Sequence, residues 1–467
     1  MKTKSKWFVL YFFALTLSSC NTMEKEVEKK KETAEFKVPV DYYKLDNGLK
    51  VILSQDKTAP TVIVAVYYNI GFRIEPKDRT GFAHLFEHMM FQGSKNLPKG
   101  EFDKLTTSNG GVNNGSTRFD FTNYFEIIPS HTLEPILWAE ADRMKGLNID
   151  QASLTNQQGV VKNEVKVNVL NQPYGGFPWL DMPQYANTNW YNSHNFYGDL
   201  ADLDAANLED VQAFFDTYYA PNNAALSIVG DFEIEEAKTW IQNYFSAIPA
   251  AEIPDQPDIS EPKQEEQKEF VKNDSLANKP AIALAYHMPE RNTPEYYAMG
   301  LLDQILIQGD NSLLAQKLEK EKGYTADVSG GINYLGNMFN YKGPMIWMYD
   351  LTYDTETSRA DVLNSIDEVM NNLKSNISQE TVDQAIVKLR SQLYDDIGGT
   401  FGLGRADLLC TFALFDDNPE RINSLEDEFK KVTPELIKKT IDAYLIPKNR
   451  TILTVNPLLA ANEKTQS

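Results

Sequence analysis

The chain has 467 residues, 42% hydrophobic and 11% aromatic, and a formal net charge of −21. Its length exceeds one ordinary core, so more than one domain is expected, and its apolar content excludes a disordered chain. So acidic a surface argues against nucleic-acid binding, and a solvated acidic face explains the charge more simply than a basic ligand does.

The first twenty residues, "MKTKSKWFVLYFFALTLSSC", hold three lysines, an apolar run from Trp7 to Leu17, and then Ser18-Ser19-Cys20. The run is too short for a stable membrane span and reads as a signal peptide over residues 1–19. A cysteine straight after small residues resembles a bacterial lipobox. That implies cleavage before Cys20, lipidation of its thiol, and a place in the cell envelope, periplasmic or at the cell surface, on a membrane anchor. Without residues 1–19 the formal charge becomes −24, since they hold three lysines and no acid. Residues 20–38 are charged and read as a tether. The other of the two cysteines, Cys410, lies in the apolar "RADLLCTFALF" and is expected to be a buried thiol.

A first domain is expected over residues 39–248. "YYKLDNGLKVILSQD" places a turn at Asp46-Asn47-Gly48 between two alternating runs, predicting a hairpin. "TVIVAVYYNIG" predicts a third strand, almost wholly apolar. Helical patterns follow at 79–91, 97–108, 131–145 and 151–170, with an alternating strand "STRFDFTNYFEIIP" between the second and third. The aromatic stretch 171–200 reads first as core packing and second as a wall of a cavity. Residues 249–275, rich in proline and charge, read as a linker to a second domain at 276–460.

The two domains carry a repeat. "TYYAPNNAALSIVGD" and "AYLIPKNRTILTVNP" align without a gap, so that Tyr218, Pro221, Asn223 and Val229 match Tyr444, Pro447, Asn449 and Val455. Each follows a helical stretch and enters a strand, which argues for internal duplication. Strands in runs and helices in runs predict an α+β fold of two related sandwich domains, mainly antiparallel sheet flanked by helices. "DDIGGTFGLGRADLLC" has four glycines but lacks phosphate-loop spacing, and reads as a hinge before a helix.

The chemistry gathers at "GFAHLFEHMMFQGS". On a helix His84 and His88 are one turn apart, with Cβ atoms about 5–6 Å from each other. That suits two imidazoles reaching one zinc at about 2.0–2.1 Å. Glu87 stands beside them, placed to act on water as general base and then general acid. A plain amphipathic helix is the rival reading, and a catalytic zinc wants a third protein ligand. His131, His194 and His287 are isolated in the sequence, which favours a carboxylate for that role.

This stretch resembles the metal helix of the pitrilysin/insulinase family of inverted-zincin peptidases, whose motif is H-x-x-E-H with a glutamate ligand 76 residues on. Counting 76 from His88 reaches Glu164 in "QQGVVKNEVKVN". "NGLKVIL", "LWAEADRM" and "YYAPNNAALSIVGDF" extend the similarity over nearly the whole chain. The resemblance implies zinc on His84, His88 and Glu164, Glu87 as the catalytic acid–base, a peptide substrate, and a chamber of which this chain forms one half. Many members carry a supporting glutamate seven residues before the third ligand, where this chain has Gln157. "GGVNNGSTRFDFTNYFEIIP" matches the family's substrate-binding edge strand, implying Asn114, Gly115, Ser116 and Thr117 as peptide contacts, with a turn at Asn113-Asn114-Gly115 as the plainer alternative.

The family also uses an arginine and a tyrosine spaced R-x6-Y from a C-terminal domain. In "LAQKLEKEKGYTADVSGG" those positions hold Glu319 and Ala326. A glutamate there disfavours an oxyanion. The expectation is therefore a zinc-bearing subunit of a heterodimer whose paralogous partner supplies the Arg/Tyr pair. The rival is a non-catalytic structural or peptide-binding subunit of the same fold.

Overall fold

The apolar run Thr61–Tyr68 shows no alternation because both of its faces are covered. The computed structural model describes residues 37–399 and 402–458, and Thr61–Tyr68 forms strand β3 near the middle of a six-stranded sheet. The other strands are β1 (Asp41–Lys44), β2 (Lys50–Gln55), β4 (Val112–Thr117), β5 (Thr122–Pro129) and β6 (Ala224–Gly230). Their order is β1-β2-β6-β3-β5-β4, antiparallel except for the β2–β6 pair. The predicted hairpin forms β1 and β2, and the Gly48 N–H closes its turn on the Leu45 carbonyl.

The second sheet repeats the plan. It contains β7 (Lys268–Asp274), β8 (Ala281–His287), β9 (Ser329–Ile332), β10 (Ile346–Thr352) and β11 (Arg450–Pro457), in the order β7-β11-β8-β10-β9. The repeat seen in the sequence falls on β6 and β11. Each lies parallel to one neighbour, β2 or β7, and antiparallel to the other, β3 or β8.

Among the helices, seven bear on the site and its frame: α1 (Phe82–Met89), α2 (Leu133–Lys145), α3 (Gln151–Val165), α4 (Asp181–Ala186), α5 (Pro294–Leu306), α6 (Gln379–Gly398) and α7 (Leu403–Asp416). A π turn, Lys166–Leu170, continues α3. The two halves exchange helices. α7 packs on β2, β3 and β6 of the first sheet, where buried Cys410 lies 3.9 Å from the Ala65 carbonyl and 3.8 Å from that of Ala225. In return, α4 packs on β8 and β11 of the second sheet. There Phe177, Met182 and Ala186 fill the shallow surface left by Ala281, Ala283 and Ala285. Much of the aromatic stretch 171–200 is thus core packing.

Two local expectations are corrected. The alternating stretch 116–129 is not one strand but the end of β4, a turn at 118–121 and β5, and Asn113-Asn114-Gly115 lies within β4, against the alternative of a turn there. The residues read as a linker contain strand β7. Its side chains alternate between half-buried and exposed, and its charges suit a sheet edge, so composition hides it. Residues 258–261 are also tied down: Glu261 accepts hydrogen bonds from the Thr188 N–H and the Asn192 side chain, and the Asn189 side chain donates to the Asp258 carbonyl. Among the described residues no helix is long and apolar enough to cross a membrane. Cys20, the signal stretch and the tether up to residue 36 lie outside the described residues.

Candidate metal centre

α1 starts at Gly81, whose φ of +83° falls in the left-handed region that glycine tolerates. Its first turn is held by Glu75, a fully buried carboxylate that accepts from the Gly81 N–H at 2.9 Å and the Ala83 N–H at 2.6 Å. An anion suits the positive end of a helix, so Glu75 fixes the direction of α1. His84 and His88 then project side by side, their ring centroids 5.0 Å apart.

α3 starts on an Asp150 cap, whose side chain accepts from the Ser153 N–H, and packs along α1. It brings Glu164 to the histidines, with Oε1 at 3.6 Å from His84 Nε2 and Oε2 at 3.3 Å from His88 Nε2. One donor atom from each of His84, His88 and Glu164 lies within 4.8 Å of the others, the one such cluster among the described residues. Burial pushes the His84 imidazole down to about 4, against a smaller opposing pull from Glu164. His84 is therefore neutral at ordinary pH, with a free ring nitrogen to offer a cation. The set of two imidazoles and one carboxylate, close together and with one ring held neutral, fits a zinc ion.

Glu87 lies on the same helix. Burial raises its carboxyl above the ordinary range, and the Thr117 hydroxyl, donating to its Oε2 at 2.7 Å, works against that rise. β4 passes directly over it. A Cβ at Gly115 would meet the Tyr124 ring at 3.1 Å and Glu87 Cγ at 3.3 Å, so a side chain there would press strand and carboxylate apart by a few tenths of an ångström.

The four residues expected to touch peptide therefore divide. β4 is an edge strand, paired only with β5, and so offers an unpaired main-chain rim. Asn114 is exposed there, and its side chain accepts the Gly115 N–H at 2.9 Å. The Ser116 hydroxyl instead donates to the Asn123 side chain at 2.5 Å, and Thr117 is engaged with Glu87. Gln157 is buried on α3, seven residues before Glu164 and on the same face. Of the remaining histidines, His131 is exposed, His194 stacks on Trp190 at 4.3 Å near Glu75, and His287 bonds the Ala186 carbonyl.

Three neighbours of the centre carry no clear mark in the sequence: Glu75, Asn168 and Tyr197. Tyr197 is 33 positions from Glu164, inside the aromatic stretch. Its one sequence signal is the adjacent Gly198, where a Cβ would strike Gly81 at 2.5 Å.

The second half holds a counterpart without ligands. Glu87-His88 and Gln92-Gly93 correspond at a constant offset to Asp303-Gln304 and Gln308-Gly309 on and after α5, and His84 corresponds to Gly300. A Cβ at Gly300 would meet the end of the Met338 side chain at 2.9 Å and the Phe429 ring at 3.0 Å, so any side chain there would have to push Met338 aside. Asp303 accepts from Trp347 Nε1 at 2.8 Å and Gln308 Nε2 at 3.0 Å. Glu319 accepts the Val328 N–H at 3.0 Å, and Ala326 is exposed.

Comparison with known proteins shows the same division. Residues 50–191 match the family model described as Insulinase (Peptidase family M16), and residues 205–389 match the one described as Peptidase M16 inactive domain. The chain is 30% identical over 285 residues to a protein of Helicobacter pylori named zinc protease PqqE, covering 60% of this chain and 63% of that protein. It is 24% identical over 355 residues to mouse insulin-degrading enzyme, covering 73% of this chain and 34% of the enzyme. The chain thus spans less than two thirds of these relatives. Among solved structures, a protease from Helicobacter pylori superposes with a TM-score of 0.81 at 23% identity, covering 90% of this chain and all of that one. A structure titled peptidase M16 inactive domain from Pseudomonas fluorescens gives 0.76 at 19% identity, covering 91% of this chain and 99% of that one.

Proposed function

Because the chain belongs to the pitrilysin/insulinase family of peptidases, we propose that it is a zinc metalloendopeptidase that hydrolyses peptides or small unfolded segments, and that it serves as the zinc-bearing subunit of a heterodimer. The observation that carries this is the convergence of His84, His88 and Glu164 with Glu87 beside them. The family description "inactive domain" falls on residues 205–389, and the donor set lies outside that stretch.

His84, His88 and Glu164 would hold the ion. Zinc there supplies Lewis-acid polarisation of the scissile carbonyl and of water. Glu87 takes a proton from the attacking water and returns it to the leaving nitrogen as the C–N bond breaks. Thr117 fixes the Glu87 carboxylate by donating its hydroxyl to Oε2. The rim of β4 takes the substrate as an added strand, through main-chain bonds that tolerate many sequences. To do so the peptide displaces the Asn114 side chain from the Gly115 N–H.

The need for a partner comes from the second half. Glu319 is turned to the Val328 N–H and Ala326 has no polar side chain, so neither supplies a donor to a developing oxyanion. A paralogous subunit with an Arg/Tyr pair would complete the site. The same observation supports a second reading, a non-catalytic peptide-binding subunit. The envelope location and the lipid anchor at Cys20 rest on the N-terminal pattern alone.

The test is hydrolysis of a mixed peptide library by the zinc-loaded chain, alone and with envelope extract, for wild type and Glu87→Gln. Cleavage only with extract, lost in Glu87→Gln, supports both parts of the proposal. Strong cleavage by the chain alone overturns the partner, and cleavage in neither condition favours the binding subunit.

A further inference from the structure

The third ligand comes from a helix different from the one that carries the histidines, so something must fix its carboxylate against them. The segment after α4 does this from outside. Thr80, just before α1, donates its N–H and hydroxyl to Asp202 at 3.1 and 2.6 Å, and its hydroxyl oxygen accepts the Asp199 N–H at 2.8 Å. Gly198 lies so close to Gly81 that no side chain fits between them, and a Cβ at Gly81 would meet the Tyr197 carbonyl at 2.8 Å. Tyr197 is thereby clamped to the first turn of the helix that bears His84 and His88.

Its side chain turns into the centre. The ring packs on His84 with centroids 5.1 Å apart and is backed by Trp179 at 5.5 Å. The hydroxyl has the Glu164 carboxylate and the Asn168 side chain as its polar neighbours. Asn168 is part of the π turn that continues α3, and such turns, rare elsewhere, re-aim side chains at functional sites. The phenol can donate to Glu164 while its oxygen accepts from the Asn168 amide, a consistent donor–acceptor chain.

We propose that Tyr197, supported by Asn168, is a positioning residue for the metal centre, its ring seating His84 and its hydroxyl orienting Glu164. This deepens the zinc reading and rests on it. It also assigns a role within the aromatic stretch that core packing leaves unused, since Tyr197 is only half-buried and faces two of the three ligands. Outer groups that orient metal ligands are worth about 10–100-fold in affinity when removed.

The test is a zinc competition titration with a chromophoric chelator on the full chain, comparing wild type with Tyr197→Phe, Tyr197→Leu and Asn168→Ala. Tyr191→Phe serves as the control, because that ring lies against Trp190 and Lys77 instead. The melting temperature of each metal-free variant is measured alongside. The expected result is a zinc Kd weakened by about 10–100-fold in Tyr197→Phe, further in Tyr197→Leu and in the same direction in Asn168→Ala, with metal-free melting of Tyr197→Phe unchanged. The cobalt-substituted Tyr197→Phe protein should also show a shifted visible d–d spectrum. Wild-type zinc affinity and spectrum in Tyr197→Phe would overturn the proposal while leaving the zinc reading intact. Should Tyr197→Phe fail to fold, unchanged affinity in Asn168→Ala would overturn it instead. A wild-type chain that binds no zinc would refute the zinc reading itself, and this inference with it.

Discussion

Asp303 gives a pH dependence that does not rely on catalysis. It stands where the first half has Glu87, buried between α5 and β10, and burial lifts its carboxyl from 3.8 to about 6 despite hydrogen bonds from Trp347 and Gln308. A folded-state pKa above the unfolded value means that the folded chain holds its proton longer. The cost is therefore absent below about pH 4, grows as pH rises from about 4 to about 6, and is fully present above. At about 1.4 kcal/mol per pH unit, a rise of roughly two units costs the fold about 3 kcal/mol at pH 7. Asp303→Asn stands in for the protonated acid. It should stabilise the chain at pH 8 by up to about 3 kcal/mol and do little at pH 4. Thermal or urea unfolding of both proteins from pH 4 to 8, read as the difference between the two curves, measures this directly. Parallel curves across that range would show that Asp303 carries no such cost.

Other predictions concern the first half. Gly115→Ala should cost about 1–3 kcal/mol of stability and lower the kcat measured with the partner present by tenfold or more, because the Tyr124 hydroxyl is held by the Phe86 carbonyl and Glu87 must move instead; calorimetry and steady-state kinetics read the two effects. Arg143 is buried between Glu126 and Glu140 and faces the Phe102 and Tyr124 rings, so Arg143→Met should destabilise by about 3–5 kcal/mol in denaturant titration by leaving two acids unpaired. Glu164→Ala should abolish the rise in melting temperature that zinc gives the wild type, because binding to the folded state alone stabilises it by mass action.

The parts of this fold that are legible in sequence are those fixed by local chemistry. The Asp46-Asn47-Gly48 turn, the unbroken apolar β3 and the four helical stretches of the first half all come from periodicity and turn residues. The His84–His88 pair on α1, proposed here to bind zinc, is legible because its spacing is that of a single helix. Glu164 is reached only through family resemblance, since no local pattern ties it to His88 across 76 residues. What stays hidden depends on long-range packing. The exchange of α4 and α7 between the halves looks, in sequence, like ordinary apolar helix and aromatic loop. β7 carries so much charge that it reads as linker, and the hydroxyl of Thr117, expected to contact peptide, is committed to Glu87. Tyr197 is joined to the centre by Gly198 and Thr80, contacts that no periodicity announces.

The most direct measurement is zinc K-edge absorption on the metal-loaded chain, with His88→Ala alongside. One zinc per chain is expected, with two imidazole nitrogens and one carboxylate at about 2.0–2.2 Å, and with loss of that signature in His88→Ala. A wild-type chain that binds no zinc, or a spectrum unchanged in His88→Ala, would contradict this assignment.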